Sequence, residues 1–513
     1  LNSVFPYENP KENNPHCVKK PEHLFDVPAF CYTGFMTKIT TSKQSLSDVN
    51  KKYCRIVLTE HTRSWHRLVE TTEGLLEYRM GVGKWKNIDR RAFRTIVRSI
   101  VQTAKAHQLS HIAIELSTAA FSKLAPFGNQ WMMRTLGENL QLAQYEFTKY
   151  KTKDTSKTGL QEIVICGALS AAEKTALQTG LTVGESANIT RDIANTSGED
   201  MTPSKLVAAT KSALKGTKAT VKALGSTEIK KAKMGLLEAV GKGASDKPQF
   251  IIIEWWGAGK PTAAEKTAGK KRPIALIGKG ITYDSGGLNV KPTGSMHEMH
   301  MDMSGGSAVI GAMRAIATLG LKKNVVACIP AAENSISAES MRAGDIATSM
   351  SGQTVEILHT DAEGRLVLAD ALTYAQTHYA PSVILDVATL TGAALSALGQ
   401  HASACMTKDA KLQETLMELS ENSGDLIWPL PLWDEYKASL KSTRADISNI
   451  ATNFSRFGGC IEGGTFLSFF APKKTPWAHI DIAPRMESIP SDKLAKGAAG
   501  EPVRLLVQFV EKQ

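Results

Sequence analysis

The chain has 513 residues, 42% hydrophobic and 22% charged, enough for two or three cores and too ordinary for wholesale disorder, a collagen-like repeat or a small disulfide scaffold. Its cysteines (Cys17, Cys31, Cys54, Cys166, Cys328, Cys405, Cys460) are odd in number, far apart and never spaced C-x-x-C, which disfavours a disulfide framework or zinc ribbon and fits a reducing compartment. The net charge of +11 arises almost wholly between residues 203 and 272, where 15 Lys/Arg face five Asp/Glu.

No apolar run reaches the ~18 residues that a bilayer crossing needs, so no membrane partner is expected. Residues 1–20 are polar and Pro/Asn-rich without an apolar signal core, and the chain starts at Leu1 rather than Met, which leaves an upstream targeting segment open. A basic surplus is the usual footprint of nucleic acid. Here it is local and spread over Lys205, Lys211, Lys215, Lys218, Lys222, Lys230, Lys231 and Lys233, so it reads as solvated helix and loop faces. Nucleic-acid binding is kept only as a side activity.

Strand-like runs at 53–60 (YCRIVLTE), 111–116 (HIAIEL) and 162–166 (EIVIC), with a helical pattern at 90–107, predict a small N-terminal α/β domain over 1–170. The segment 81–84 (GVGK) is superficially like a phosphate loop, but Trp85 stands where Ser or Thr would hold magnesium. Residues 171–194 are Ala-rich and free of Pro, with Gly180 and Gly184 as weak points, and predict a linking helix within 171–200. Structure restarts at Thr202-Pro203. Strands are then expected at 221–224, 249–256, 273–278, 324–330, 354–358, 382–387 and 477–482, with helices near 229–240 and 366–378. The Ile/Val/Ala runs predict a sheet covered on both faces. The fold class expected for 201–513 is a larger catalytic α/β domain with a mostly parallel mixed sheet.

In such a sheet, ligands bind at the carboxyl ends of strands. Segments 278–287 (GKGITYDSGG), 359–365 (HTDAEGR) and 388–392 (ATLTG) follow three predicted strands, and Lys291 and Asp302 lie between the first two. Asp284, Asp302, Asp361 and Glu363 are four acids at Gly-rich turns. Each alone reads as a cap or turn residue. Together in one crevice they would repel one another unless one or two divalent cations neutralised them. His297, His300 and His359 fall beside these acids, but no H-E-x-x-H occurs, and they are read as neighbours rather than ligands. Ser285 and Ser304 lack a G-x-S-x-G elbow.

Residues 361–366 (DAEGRL), with 278–287, Asp302 and 386–392 (DVATLTG), closely resemble the leucine aminopeptidase family, the dizinc cytosolic aminopeptidases. The likeness runs in order from about 188 to 510 and includes 195–202 and 477–483 (WAHIDIA). It implies that Lys279, Asp284, Asp302 and Glu363 hold one metal and that Asp284, Asp361 and Glu363 hold a second, more exchangeable one. The implied ions are zinc, with manganese or cobalt as alternatives at the exchangeable site. Lys291 would face the gem-diolate oxygen, and Arg365 would hold a bicarbonate that shuttles protons. Met299, Thr389, Gly392, Ala483 and Met486 match the pocket for the first side chain. The resemblance further implies peptide substrates with a free N-terminus, a preference for Leu, a homohexamer and a cytoplasmic location. Two departures stand out. His359 replaces the usual Asn before T-D-A-E-G-R, and Pro484-Arg485 lies between two pocket residues. A two-metal phosphoesterase is the enzymatic alternative, since acid clusters serve phosphates equally well.

Overall fold

The computed structural model describes residues 37–63, 65–116, 121–153, 159–455 and 457–513; Cys17, Cys31 and the stretch 1–20 lie outside the described residues. A first sheet joins β1 (Lys38–Ser42), β2 (Cys54–Thr59), β3 (His66–Glu70), β4 (Leu76–Gly81), β5 (His111–Ile114) and β6 (Glu162–Cys166) in the order β1-β6-β5-β2-β4-β3. All neighbours are parallel except β3 and β4. Strands β2, β5 and β6 stand where apolar runs predict them. By contrast, β1 (KITTS), β3 (HRLVE) and β4 (LEYRMG) carry too few apolar residues for periodicity to reveal them.

Helix α1 (Arg90–Ala106) begins at Asp89, whose carboxylate accepts the Ala92 N–H at 2.8 Å. It buries Phe93, Val97, Ile100 and Val101 against this sheet together with α2 (Gly128–Gln144). Helix α3 (Ala171–Asn195) starts with a capping box between Ser170 and Glu173. Its two weak points prove to be contact points. A Cβ on Gly180 would stand 2.1 Å from the Arg134 carbonyl, and one on Gly184 would meet the Glu138 carbonyl at 2.7 Å. From the facing helix, a Cβ on Gly137 would meet the Leu177 carbonyl at 2.6 Å. Glycine here lets two helix backbones touch, which outweighs its poor helix propensity.

After α4 (Pro203–Ala213) come β7 (Thr220–Leu224), α5 (Ser226–Lys231) and α6 (Gly235–Gly241). The single helix expected at 229–240 is therefore two. Lys233 breaks it with φ of 59°, and a Cβ on Gly235 would collide with the Thr348 carbonyl at 2.2 Å. The chain continues through β8 (Gln249–Trp256), α7 (Ala263–Thr267), β9 (Ile274–Gly278), β10 (Gly280–Asp284), α8 (Ser304–Thr318) and β11 (Asn324–Asn334). Next are β12 (Ile346–Thr348), β13 (Thr354–Glu356), α9 (Gly364–Tyr379), β14 (Val383–Ala388), α10 (Gly392–Leu398) and β15 (Ser403–Thr407). The remainder is α11 (Ala410–Ser423), β16 (Ile427–Pro429), β17 (Ile447–Ser448), α12 (Gly459–Ser468), β18 (Trp477–Asp481) and α13 (Val503–Lys512).

The large sheet runs β16-β15-β18-β14-β9-β11-β8-β7, and β10 also pairs with β11. It is mixed and mostly parallel: β7, β8 and β11 pair antiparallel in turn, as do β15 and β18. Successive side chains alternate between two cores. Ile251, Leu276, Val325 and Leu385 face α8, α11 and α13, whereas Ile252, Ile277, Val326 and Ile384 face α9 and α12. Covering both faces explains the near-continuous apolar runs. One expectation fails: β13 lies outside this sheet, between β12 and β17 in a three-stranded one. Of its residues only Val355 is apolar, too little for a strand crossing a two-sided core. The segment 278–287, expected as a loop, supplies a further strand, β10, after Lys279 breaks the run.

Replacing Gly180 by Ala is expected to destabilise the protein by about 1–3 kcal/mol through overpacking at the α2–α3 seam, read as a lower midpoint in denaturant. An unchanged midpoint would refute this account of the seam.

Candidate metal centre

Lys279 occupies the break between β9 and β10, where its N–H donates to the Val387 carbonyl of β14 at 3.0 Å. Its buried ammonium lies 2.7 Å from Asp302 Oδ2 and 2.9 Å from Glu363 Oε1, and donates to the Thr389 carbonyl at 3.0 Å. Glycines make this approach possible. A Cβ on Gly364 would stand 2.7 Å from Lys279 Nζ, and one on Gly278 would meet the Gly305 carbonyl at 2.6 Å. The start of α8 can therefore sit against the end of β9, which brings Asp302 beside Lys279.

Asp284 closes β10. Its Oδ1 accepts from the Gly286 N–H at 2.9 Å and from Asn334 Nδ2 at 2.8 Å, and its Oδ2 lies 2.7 Å from Lys291 Nζ. Lys291 also reaches Asp361 Oδ1 at 2.5 Å. Asp284, Asp361 and Glu363 each present an oxygen within 4.8 Å of the others. Glu363 Oε2 is buried without a hydrogen-bond partner among the described residues. Burial alone would pull both lysines down. The charges of Asp302, Glu363 and Asp284 outweigh it at Lys279, and those of Asp284, Glu363 and Asp361 at Lys291, holding both above the ordinary lysine range. The five residues expected from sequence as metal ligands thus converge with Lys291, from β9–β10, the turn before α8 and the loop before α9.

The residues named for the first side chain are spread more widely. Thr389 is buried, and its Oγ1 donates to Asp302 Oδ1 at 2.7 Å, so it braces that acid directly. Gly392 opens α10, which packs against the turn Ala483–Arg485. Met299 begins the turn Met299–Met303, and Met486 packs on Ala194, Met301 and Ala498. Arg485 turns away into an ion cluster, bonding Glu501 at 2.7 Å and Asp492 at 2.9 Å. Asp386, first residue of 386–392, is also away from the centre. It is buried between β14 and β18, accepting from Trp477 Nε1 at 2.6 Å and pairing with His479 Nδ1 at 2.5 Å. His297 is exposed beside Glu298, and His300 lies over the His297 carbonyl. His359 Nδ1 accepts the Asp361 N–H at 3.2 Å, which makes it a support for that acid.

Two supporting residues carry no motif. Asn334 ends β11 and joins Asp284 to the Thr360 carbonyl at 3.1 Å. Asn449, just beyond β17, accepts from the Leu358 N–H at 2.8 Å and donates to the His359 carbonyl at 2.7 Å. Its own carbonyl accepts from Arg365 Nη1 at 2.7 Å. Arg365 is buried in the first turn of α9 with Glu462 Oε1 3.3 Å from Nη1; burial lowers its pKa while Glu462 opposes the shift. The pairing of β13 with β17 brings these distant segments together, and a local sequence window contains no trace of it.

The model of the "Cytosol aminopeptidase family, catalytic domain" matches residues 188–507, and that of its N-terminal domain matches 78–154. A "Probable cytosol aminopeptidase" of Paraburkholderia phymatum is 39% identical over 436 residues, covering 84% of this chain and 82% of that protein. One of Burkholderia mallei is 42% identical over 385 residues, 74% of this chain and 73% of that protein. Among solved structures, "Bottromycin maturation enzyme BotP in complex with Mn" superposes with a TM-score of 0.77 at 26% identity, covering 93% of this chain and 99% of that one.

Asn449→Ala strips the loop 358–362 of its tethers. It is expected to destabilise the metal-free protein by about 2–4 kcal/mol, the sum of several buried hydrogen bonds left unmade, as measured by denaturant unfolding. Unchanged stability would show that the loop is held by other contacts.

Proposed function

Since the chain belongs to the cytosol aminopeptidase family and is a metal-dependent aminopeptidase, we propose that it releases the N-terminal residue, preferably Leu, from peptides with a two-metal centre. The observation that carries this reading is the convergence of Asp284, Asp361 and Glu363 within 4.8 Å, with Glu363 Oε2 buried and unpartnered. Such an oxygen-rich set suits divalent cations. Lys279, Asp284, Asp302 and Glu363 would hold one ion and Asp284, Asp361 and Glu363 the exchangeable one, with Asp284 and Glu363 common to both. Zinc is the ion proposed, with manganese or cobalt at the exchangeable position; the manganese named for the solved relative supports that range.

When bound, the ions supply a water of lowered pKa and polarise the scissile carbonyl. Lys279 then serves as a neutral amine, since a neighbouring dication favours loss of its proton. Lys291, already directed at Asp284 and Asp361, would face the oxyanion that develops on the substrate carbonyl. Met299, Thr389, Gly392, Ala483 and Met486 would receive the first side chain, Thr389 also steadying Asp302. Arg365 is the cation to which the resemblance assigns bicarbonate; its buried Nε has no acceptor and suits such an anion. The proposed assembly is a homohexamer acting in the cytoplasm on peptides with a free N-terminus.

The basic segment 203–272 lends little to a nucleic-acid reading. Lys222, Lys230, Lys242, Lys247 and Lys271 lie within 4.0 Å of Glu254, Glu238, Asp345, Glu339 and Glu265, which breaks up the positive face.

Metal content and Leu-amide hydrolysis of wild type and Lys279→Ala test the site. The variant is expected to lose bound metal and roughly 10²-fold or more in rate, and a chelator to abolish wild-type turnover. Full activity in Lys279→Ala, or chelator-sensitive turnover of a phosphate ester in place of Leu-amide, would overturn the reading. His359→Asn is expected to stay active while its half-saturating metal concentration shifts by about ten-fold; identical metal titrations for both proteins would discard a role for His359.

A further inference from the structure

Arg365 is held by one arm of its guanidinium. Among the described residues, Nη1 alone finds acceptors, Asn449 O at 2.7 Å and Glu462 Oε1 at 3.3 Å, whereas Nε is buried with none. Gly463 lies beside the other arm. A Cβ there would stand 3.7 Å from Arg365 Nη2 and only 3.0 and 3.2 Å from Leu390 and Thr391. Nε and Nη2 form the planar fork that takes a carboxylate-like anion through two parallel bonds.

Glu462 lies in the first turn of α12, where the helix dipole favours a carboxylate. The Arg365 and Glu462 side chains are only 7% and 11% exposed, so solvent screens the pair weakly. Any anion on the Nε–Nη2 arm would share one cation with this fixed negative charge. Two carboxylates sharing one cation repel each other, and each binds less tightly than it would alone.

We propose that Glu462 is a positioning residue with two effects on Arg365: it anchors the guanidinium through Nη1, and its charge weakens the binding of bicarbonate on the Nε–Nη2 arm. Hydrolysis then responds to bicarbonate concentration instead of being saturated at trace levels. The proposal rests on the aminopeptidase reading of Arg365.

The test compares wild type, Glu462→Gln and Glu462→Asp as zinc-loaded enzymes. 13C-bicarbonate is titrated by NMR line broadening, and Leu-amide hydrolysis is measured from CO2-free buffer upward at fixed pH. Glu462→Gln keeps an acceptor for Nη1 but not the charge. Its bicarbonate dissociation constant is expected to fall roughly ten-fold, with the half-saturating bicarbonate for hydrolysis falling in step. Glu462→Asp, which keeps the charge, should stay near wild type. A purely structural role would lower the rate at every bicarbonate concentration and leave half-saturation where it was. Equal or weaker bicarbonate binding in Glu462→Gln, or no bicarbonate binding to either protein, overturns the proposal. Absence of Leu-amide hydrolysis in all three would instead remove the aminopeptidase reading, while the NMR titration would still judge Glu462.

Discussion

Carboxylates gathered out of water repel one another, and the architecture of the catalytic half follows from bringing Asp284, Asp302, Asp361 and Glu363 together in spite of that. Asp284, Asp302 and Glu363 are almost fully buried. Isolated charges in such a place would shed their ionisation or unfold the site. What permits the cluster is cationic company supplied from several directions, Lys279 from the break after β9 and Lys291 from the loop after β10, while the oxygens of Asp284, Asp361 and Glu363 lie close enough together to hold a cation. The acids come from elements far apart in sequence, so the sheet and its crossovers must be in place before the charges can meet.

Close backbone approach is the means. Gly278, Gly305 and Gly364 leave no room for a Cβ, and the three positions lie on β9, α8 and α9, the elements that carry or face the ligands. Gly286, with φ of 86°, turns its N–H onto Asp284. The glycine content of these motifs is therefore a steric requirement of the cluster: a side chain at any of these positions would push apart the elements that carry Lys279 and the acids.

Much of the cluster was legible because its residues sit in short, dense segments. Segments 278–287 and 359–365 each place acids beside glycines just after an apolar run, and Asp302 stands at a Gly-rich turn. The long strands β8, β9, β11, β14 and β18 declare themselves by apolar runs, since both faces are covered. Other features depend on partners that no window contains. Strands β1, β3 and β4 lack an apolar signature, and β13 belongs to a separate small sheet because a β-propensity run says nothing about its neighbours. Asn449 holds the loop 358–362 and Glu462 pairs with Arg365, each from more than 80 residues away. Gly180 and Gly184 looked like defects in a helix, since propensity is a property of the isolated segment and their value lies in the helix across from them.

That same helix reaches in the other direction. Beyond the seam with α2, α3 is pressed against α8, where a Cβ on Gly311 would stand 2.2 Å from Thr190 Oγ1. Arg191, fully buried, donates to the carbonyls of Leu142 on one side and Ala495 and Ala498 on the other. A hinge needs residues that change conformation freely, and α3 offers none at this crossing. The N-terminal sheet and the catalytic sheet are thus joined through a helix packed closely on both flanks, which leaves this crossing little room to bend.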